Sequence, residues 1–291
     1  MMSDIQFCHI APIALLSDVT KYNKSHLMLA HLVEESDEYA DFYKNLEVDD
    51  GSEKILDNSI FELFKAGLPP FDPMKLIDMG KSCNATVIVM SDYPKEHWTK
   101  TRDAAIELAP VFKQHGFKTF YVPQSELGDL EGYLQSVFWA IENPDIDLIG
   151  LSILGCPIAL GINESKHGEE GTRNDAYKLQ RYLSRYTIFK HIVSRATETQ
   201  LELLKKSVHC LGLVDGPNEI ELLKEFHEYI YSWDSSSAVW AGVQGKRYDQ
   251  SPTGLINGKI ESEVDFFINE EYNADIEYNI DLINNICKGV K

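Results

Sequence analysis

Tyr229-Ile-Tyr-Ser-Trp-Asp-Ser-Ser-Ser237 is an aromatic run of strand length that passes directly into a carboxylate and three serines. Aromatic residues suit a pleated, buried strand, whereas an acid set immediately after one is poorly placed for packing. In a (β/α)8 barrel, a strand ending in an acid points that acid into the mouth where active sites lie. If the chain is such a barrel, other strands should end the same way.

Seven further apolar runs of strand length precede this one: Ile5–Ile13, Ser25–Val33, Glu53–Asp57, Ala85–Met90, Lys118–Val122, Asp147–Ile153 and Val208–Leu213. Between them the apolar spacing predicts helices over Tyr39–Leu46, from near Pro73, Trp98–Gln114 (closed by Gly116), Leu130–Ile141, Asp175–His191, Glu198–Lys206 and Glu219–Glu228. Eight strands alternating with helices in 291 residues predict an α/β fold, a single-domain (β/α)8 TIM barrel over residues 1–291. An open doubly wound sheet would advertise a glycine-rich phosphate turn after its first strand, and none follows Ile13. The tail from Lys259 to Lys291 carries eight acids against three lysines with apolar residues interspersed, and reads as closing helices.

The net charge of −19, from 27 Lys+Arg against 46 Asp+Glu, opposes a broad nucleic-acid surface, so any such role needs a local basic patch. Five scattered cysteines without a C-x-x-C pair argue against a zinc site and a disulfide framework, and point to the cytoplasm. No signal peptide and no membrane span are expected.

On the barrel reading, the strand ends bring His31, Asp57, Ser91-Asp92, Gln124, Ser152, Asp215 and Asp234 to one mouth. Converging carboxylates repel one another and are costly to desolvate, so they suggest metal ligands or nucleophile and acid/base groups. Each also has a plainer role: Asp57 and Asp92 as helix caps, Asp234 as a turn residue, His31 as a core histidine, Gln124 as a loop residue.

Ile55-Leu-Asp-Asn-Ser-Ile-Phe-Glu62 resembles the Asp-Ser-Gly-Gly-Phe-Gln motif of tRNA-guanine transglycosylases, and more closely the Asp-Asn-Gly-x-Phe-Glu form of phage relatives that place 7-deazaguanines in DNA. Val87-Ile-Val-Met-Ser-Asp92, Tyr121-Val-Pro-Gln124, Leu148–Gly155, His209-Cys-Leu-Gly-Leu213 with Pro217, and Ser232-Trp-Asp-Ser235 resemble further motifs of that superfamily in the same order. The resemblance implies base exchange. Asp234 would attack the sugar C1′ to give a covalent aspartyl-sugar intermediate, and Asp57 would act as general acid/base. Asp92, Gln124, Ser152 and Gly155 would bind the base, which must leave the helical stack.

Three departures bear on the branch. Gly242–Asp249 has no cysteine where the tRNA enzymes carry zinc ligands, no extra RNA-binding domain is expected, and Ser59-Ile60 replaces the glycine pair. No metal or other cofactor is expected. The expected partners are DNA and a free 7-deazaguanine (preQ0-like) base, with tRNA the nearest alternative; a phage-encoded chain would act in the host cytoplasm, and the choice between monomer and homodimer stays open. Arg173 to Arg195 holds six basic residues (Arg173, Lys178, Arg181, Arg185, Lys190 and Arg195) against one acid, Asp175, with Tyr177, Tyr182 and Tyr186 interleaved, and forms one candidate phosphate-binding segment, with Lys246-Arg247 a second. A solvated helix face is the competing explanation. Readings of another class are a non-catalytic partner subunit of the same family and a metal-dependent barrel hydrolase using Asp57, Asp92 and Asp234.

Overall fold

The computed structural model describes residues 5–162, 175–205, 207–214, 216–248 and 265–289. Within them the chain builds a barrel of eight parallel strands, as the sequence predicts. The first half runs β1 (Gln6–His9), α1 (Leu16–Val19), β2 (His26–Leu29), α2 (Ala30–Glu35), α3 (Asp37–Asn45), β3 (Lys54–Asp57), α4 (Ile60–Ala66), α5 (Pro73–Ser82) and β4 (Val87–Val89). The second half runs α6 (Trp98–Gln114), β5 (Lys118–Tyr121), α7 (Leu130–Glu142), β6 (Leu148–Ser152), α8 (Gly155–Ala159), α9 (Asp175–Arg195), α10 (Glu198–Leu204), β7 (Val208–Leu211), α11 (Asn218–Leu222), β8 (Ile230–Ser235), α12 (Ser237–Val243) and α13 (Ala274–Cys287).

The strands pair in the order β1-β8-β7-β6-β5-β4-β3-β2. Buried on both faces, they read as continuous apolar runs; β2, β4 and β6 are buried throughout. β1 and β2 close the ring without a backbone ladder. Their seam is fastened by side chains: Asn23 Oδ1 accepts from the His9 N–H at 3.0 Å, and Asn23 Nδ2 donates to the His9 carbonyl at 3.0 Å. Beside it the Ser25 hydroxyl meets the Gln6 side chain and accepts from the Glu53 N–H at 2.7 Å.

Helix starts follow ordinary capping chemistry. Ser36, Asp72 (before Pro73), Asp129, Thr197 and Asn273 each accept backbone N–H groups at the starts of α3, α5, α7, α10 and α13. His97 does so for α6, so Asp92 is not the cap of the following helix.

Two expectations need correction. The run Ser25–Val33 is strand only to Leu29, because the His31 N–H is taken by Ser59 Oγ (3.2 Å) rather than by a ladder; His31 therefore sits in the first turn of α2. The predicted helix Glu219–Glu228 ends at Leu222, and a 3-10 turn over Lys224–Phe226 delivers Phe226 into the core. Of the closing segment, α13 is helical, while 249–264 lie outside the described residues, as do Arg173 and Asp215. All five cysteines are free and buried. Among the described residues, no helix is long and apolar enough to cross a membrane.

Candidate active site

Asp234 lies at the C-terminal end of β8, in register with Cys8 of β1. It is 6% exposed and, among the described residues, accepts on one oxygen only: His209 Nε2 lies 2.9 Å from Oδ1, and the Gly212 N–H donates to the same atom at 3.1 Å. His209, on β7, is opposite Ser232 in the strand register, and its Nδ1 stands 2.6 Å from Ser232 Oγ. Ser232 and Asp234 are two residues apart on one strand and so face the same way, which lets one imidazole touch both. Gly212 has φ +73°, a left-handed conformation that suits glycine and turns its N–H toward the carboxylate.

This side of the mouth is braced from behind by Arg185. Its guanidinium donates to Glu219 Oε1 at 2.7 Å and to the carbonyls of Leu151 (3.1 Å), Leu211 (2.8 Å) and Gly212 (3.1 Å). Glu219 Oε2 accepts the Val214 N–H at 2.7 Å, and the Trp233 indole N–H donates to the Gly212 carbonyl at 2.7 Å. Arg185 thereby ties the ends of β6 and β7 to the loop that presents the Gly212 N–H.

That placement corrects the expected role of Arg185 in phosphate binding. The side chain is fully buried, because a planar fork with five donors satisfies an acid and three carbonyls at once. Tyr177 is also buried, Tyr182 donates to the Asn218 carbonyl, and Tyr186 donates to Glu225, so this trio does not form a free stacking row. Arg247 pairs with Asp275 at 2.6 Å, and Lys246 Nζ donates to Gln244. Lys178 is exposed on α9, and Arg181 is half-buried there.

The opposite side of the mouth is built by β3, β4 and β5. Asp57, at the end of β3, is half-buried and accepts the Ser59 N–H at 2.9 Å. Ser59 has φ +56°, and His31 Nδ1 holds its hydroxyl at 2.9 Å. Burial raises the Asp57 carboxyl well above the usual range; Glu62, Asp234 and Asp92 push it further, against the opposing Ser59 hydrogen bond. Asp92 is wholly buried, and burial lifts it to about 6 although the amides of Asn58 (2.7 Å) and Gln124 (2.6 Å) donate to it. Burial lifts Glu62, in the first turn of α4, to about 7.

Two enclosed atoms on this side have no hydrogen-bond partner among the described residues: Gln124 Oε1 and Glu62 Oε2. Ser152 Oγ accepts the Gly155 N–H at 2.7 Å, and a Cβ at Gly155 would stand 3.1 Å from the Pro123 carbonyl and 3.3 Å from Gln124 Oε1. Glycine lets that turn pack beside Gln124.

Asp57, Asp92, Gln124, Ser152, Gly155 and Asp234 are thus all on the strand ends or following turns of one barrel face. His209, Ser232 and Glu62 escaped the strand-end rule. His209 and Ser232 lie within their strands, though polar residues in apolar runs at matching depth are a usable signal. Glu62 announces itself as the one acid in Ile60-Phe-Glu-Leu-Phe64. Among the described residues, no three His, Cys, Asp or Glu side chains are grouped to hold a metal ion.

No model of a known protein family matches the chain, and no curated protein matches it. Among solved structures, a chain assigned as a fructose-1,6-biphosphate aldolase from Coccidioides immitis is similar at 11% identity, over 98% of this chain and 89% of that one, with a TM-score of 0.43. The catalytic domain of a hyperthermophilic chitinase from Pyrococcus furiosus is similar at 12% identity, over 99% of this chain and 96% of that one, with a TM-score of 0.45. Neither likeness bears on the chemistry of the mouth.

Proposed function

We propose that the protein is a base-exchange transglycosylase that replaces guanine in DNA with a 7-deazaguanine through a covalent aspartyl-sugar intermediate. The observation that carries the reading is the pairing of unlike carboxyls across the mouth. Asp234 accepts two hydrogen bonds on Oδ1 and keeps Oδ2 for attack. Asp57 is raised by burial and by neighbouring acids, which suits a group that must give and then take a proton. Displacement at a sugar carbon needs these two roles together.

The remaining groups fit recognition of a purine. A guanine-like edge presents N–H donors, and the Asp92 carboxylate and the unpartnered Gln124 Oε1 are acceptors. Absence of cysteine in Gly242–Asp249 supports the DNA branch over the zinc-bearing tRNA enzymes.

The deciding experiment is exchange of labelled guanine into DNA and into tRNA, with a 7-deazaguanine as competing base and Asp234→Asn beside the wild type. Exchange on DNA that vanishes in the variant is the expected result. Exchange on tRNA alone moves the substrate, and undiminished exchange by Asp234→Asn removes the nucleophile.

A further inference from the structure

We propose that His209 is a positioning residue that fixes which oxygen of Asp234 attacks; this deepens the transglycosylase reading and rests on it. His209 and Ser232 are both wholly buried, so each polar atom must find its partner inside the protein. Because an ionised carboxylate only accepts, the imidazole hydrogen belongs on Nε2, facing Asp234 Oδ1, and a neutral ring then leaves Nδ1 to accept from the Ser232 hydroxyl. The Phe120 ring packs edge-on at 5.3 Å and keeps the imidazole from swinging away.

With the Gly212 N–H, this gives Oδ1 two donors and fills its two lone-pair directions. No hydrogen bond reaches Oδ2 among the described residues. The carboxylate is therefore held against rotation, with Oδ2 as the oxygen left for attack.

The reaction then has a defined geometry. A lone pair of Oδ2 forms the bond to C1′, the C1′–N9 pair departs with guanine, and the Asp57 carboxyl supplies the proton that neutralises the leaving base. Oδ1 becomes the carbonyl oxygen of the ester and goes on accepting from His209 and Gly212. In the second half, N9 of the 7-deazaguanine attacks C1′, its proton passes to the Asp57 carboxylate, and the C1′–Oδ2 pair returns to Asp234.

The test compares kcat and KM of guanine exchange for wild type, His209→Leu and His209→Gln, with nitrogen NMR of the His209 imidazole. Because the glutamine amide can donate from a similar reach, we expect kcat to fall about 100-fold in His209→Leu with KM nearly unchanged, and by no more than about tenfold in His209→Gln. The NMR should show hydrogen on Nε2 in the wild type. Ser232→Ala, which removes the donor to Nδ1, should shift hydrogen toward Nδ1 and lower kcat; it carries the test if His209→Leu fails to fold.

Wild-type kcat in His209→Leu, equal losses in both variants with KM rising in step, or hydrogen on Nδ1 in the wild type would each overturn the assignment. If the wild type exchanges no base, the transglycosylase reading fails. The tautomer, measured with and without Asp234→Ala, still decides whether His209 holds Oδ1.

Discussion

The two sides of the barrel mouth are built to different standards. Along β6, β7 and β8 the polar groups answer one another: Ser232 to His209, His209 and Gly212 to Asp234, Arg185 to Glu219 and three carbonyls. Along β3, β4 and β5 three acids crowd together with raised affinities for protons, and among the described residues Gln124 Oε1 and Glu62 Oε2 have no partner. A fully paired network is rigid, while an enclosed unpaired polar atom costs stability until something binds it. The first side holds its acid in one pose; the second retains unused hydrogen-bonding capacity among the described residues, which the proposed function assigns to the base.

The largest effect expected from breaking that contrast is chemical. Asp234→Asn keeps the shape of the paired side but removes the proposed nucleophile, and on the proposed function should lower base exchange by about 10⁴-fold or more with the fold intact by circular dichroism. Next comes the brace. Arg185→Met leaves Glu219 buried without its cation and should cost about 3–5 kcal/mol of unfolding free energy in urea.

A smaller effect, opposite in direction, is expected on the unpaired side. Glu62 is raised from 4.5 to about 7, so its contribution to stability is full below pH 4.5 and is lost as pH rises through about 7. Glu62→Gln should flatten stability over that window and exceed the wild type at pH 8 by at most about 3 kcal/mol. The smallest effect concerns the surface. Lys178→Glu with Lys246→Glu should leave the melting temperature unchanged and reduce the salt slope of DNA binding by about 1 per lost phosphate contact.

The fold was legible because a parallel barrel writes each strand as an apolar run and each mouth residue as the polar residue that stops it. Asp57, Asp92, Gln124 and Asp234 all obey that grammar. The partnerships did not show. Arg185 sits at a helical position that reads as solvated until Glu219, 34 residues away, is folded against it. His31 leaves its strand because Ser59, 28 residues on, takes its N–H. Hydrogen bonds between distant residues have no period in sequence, so neither reversal could be read from local pattern.

The side-chain seam between β1 and β2 has a mechanical consequence. Asp234 stands in register with β1 and Asp57 with β2, so the clasp made by Asn23 lies on the shorter arc between the two acids. Seven backbone ladders join the other neighbours, so this joint alone among the described strand pairs is held by side chains. The spacing of the acids across the mouth thus spans a split ring fastened by the side chains of Asn23, Ser25 and Gln6.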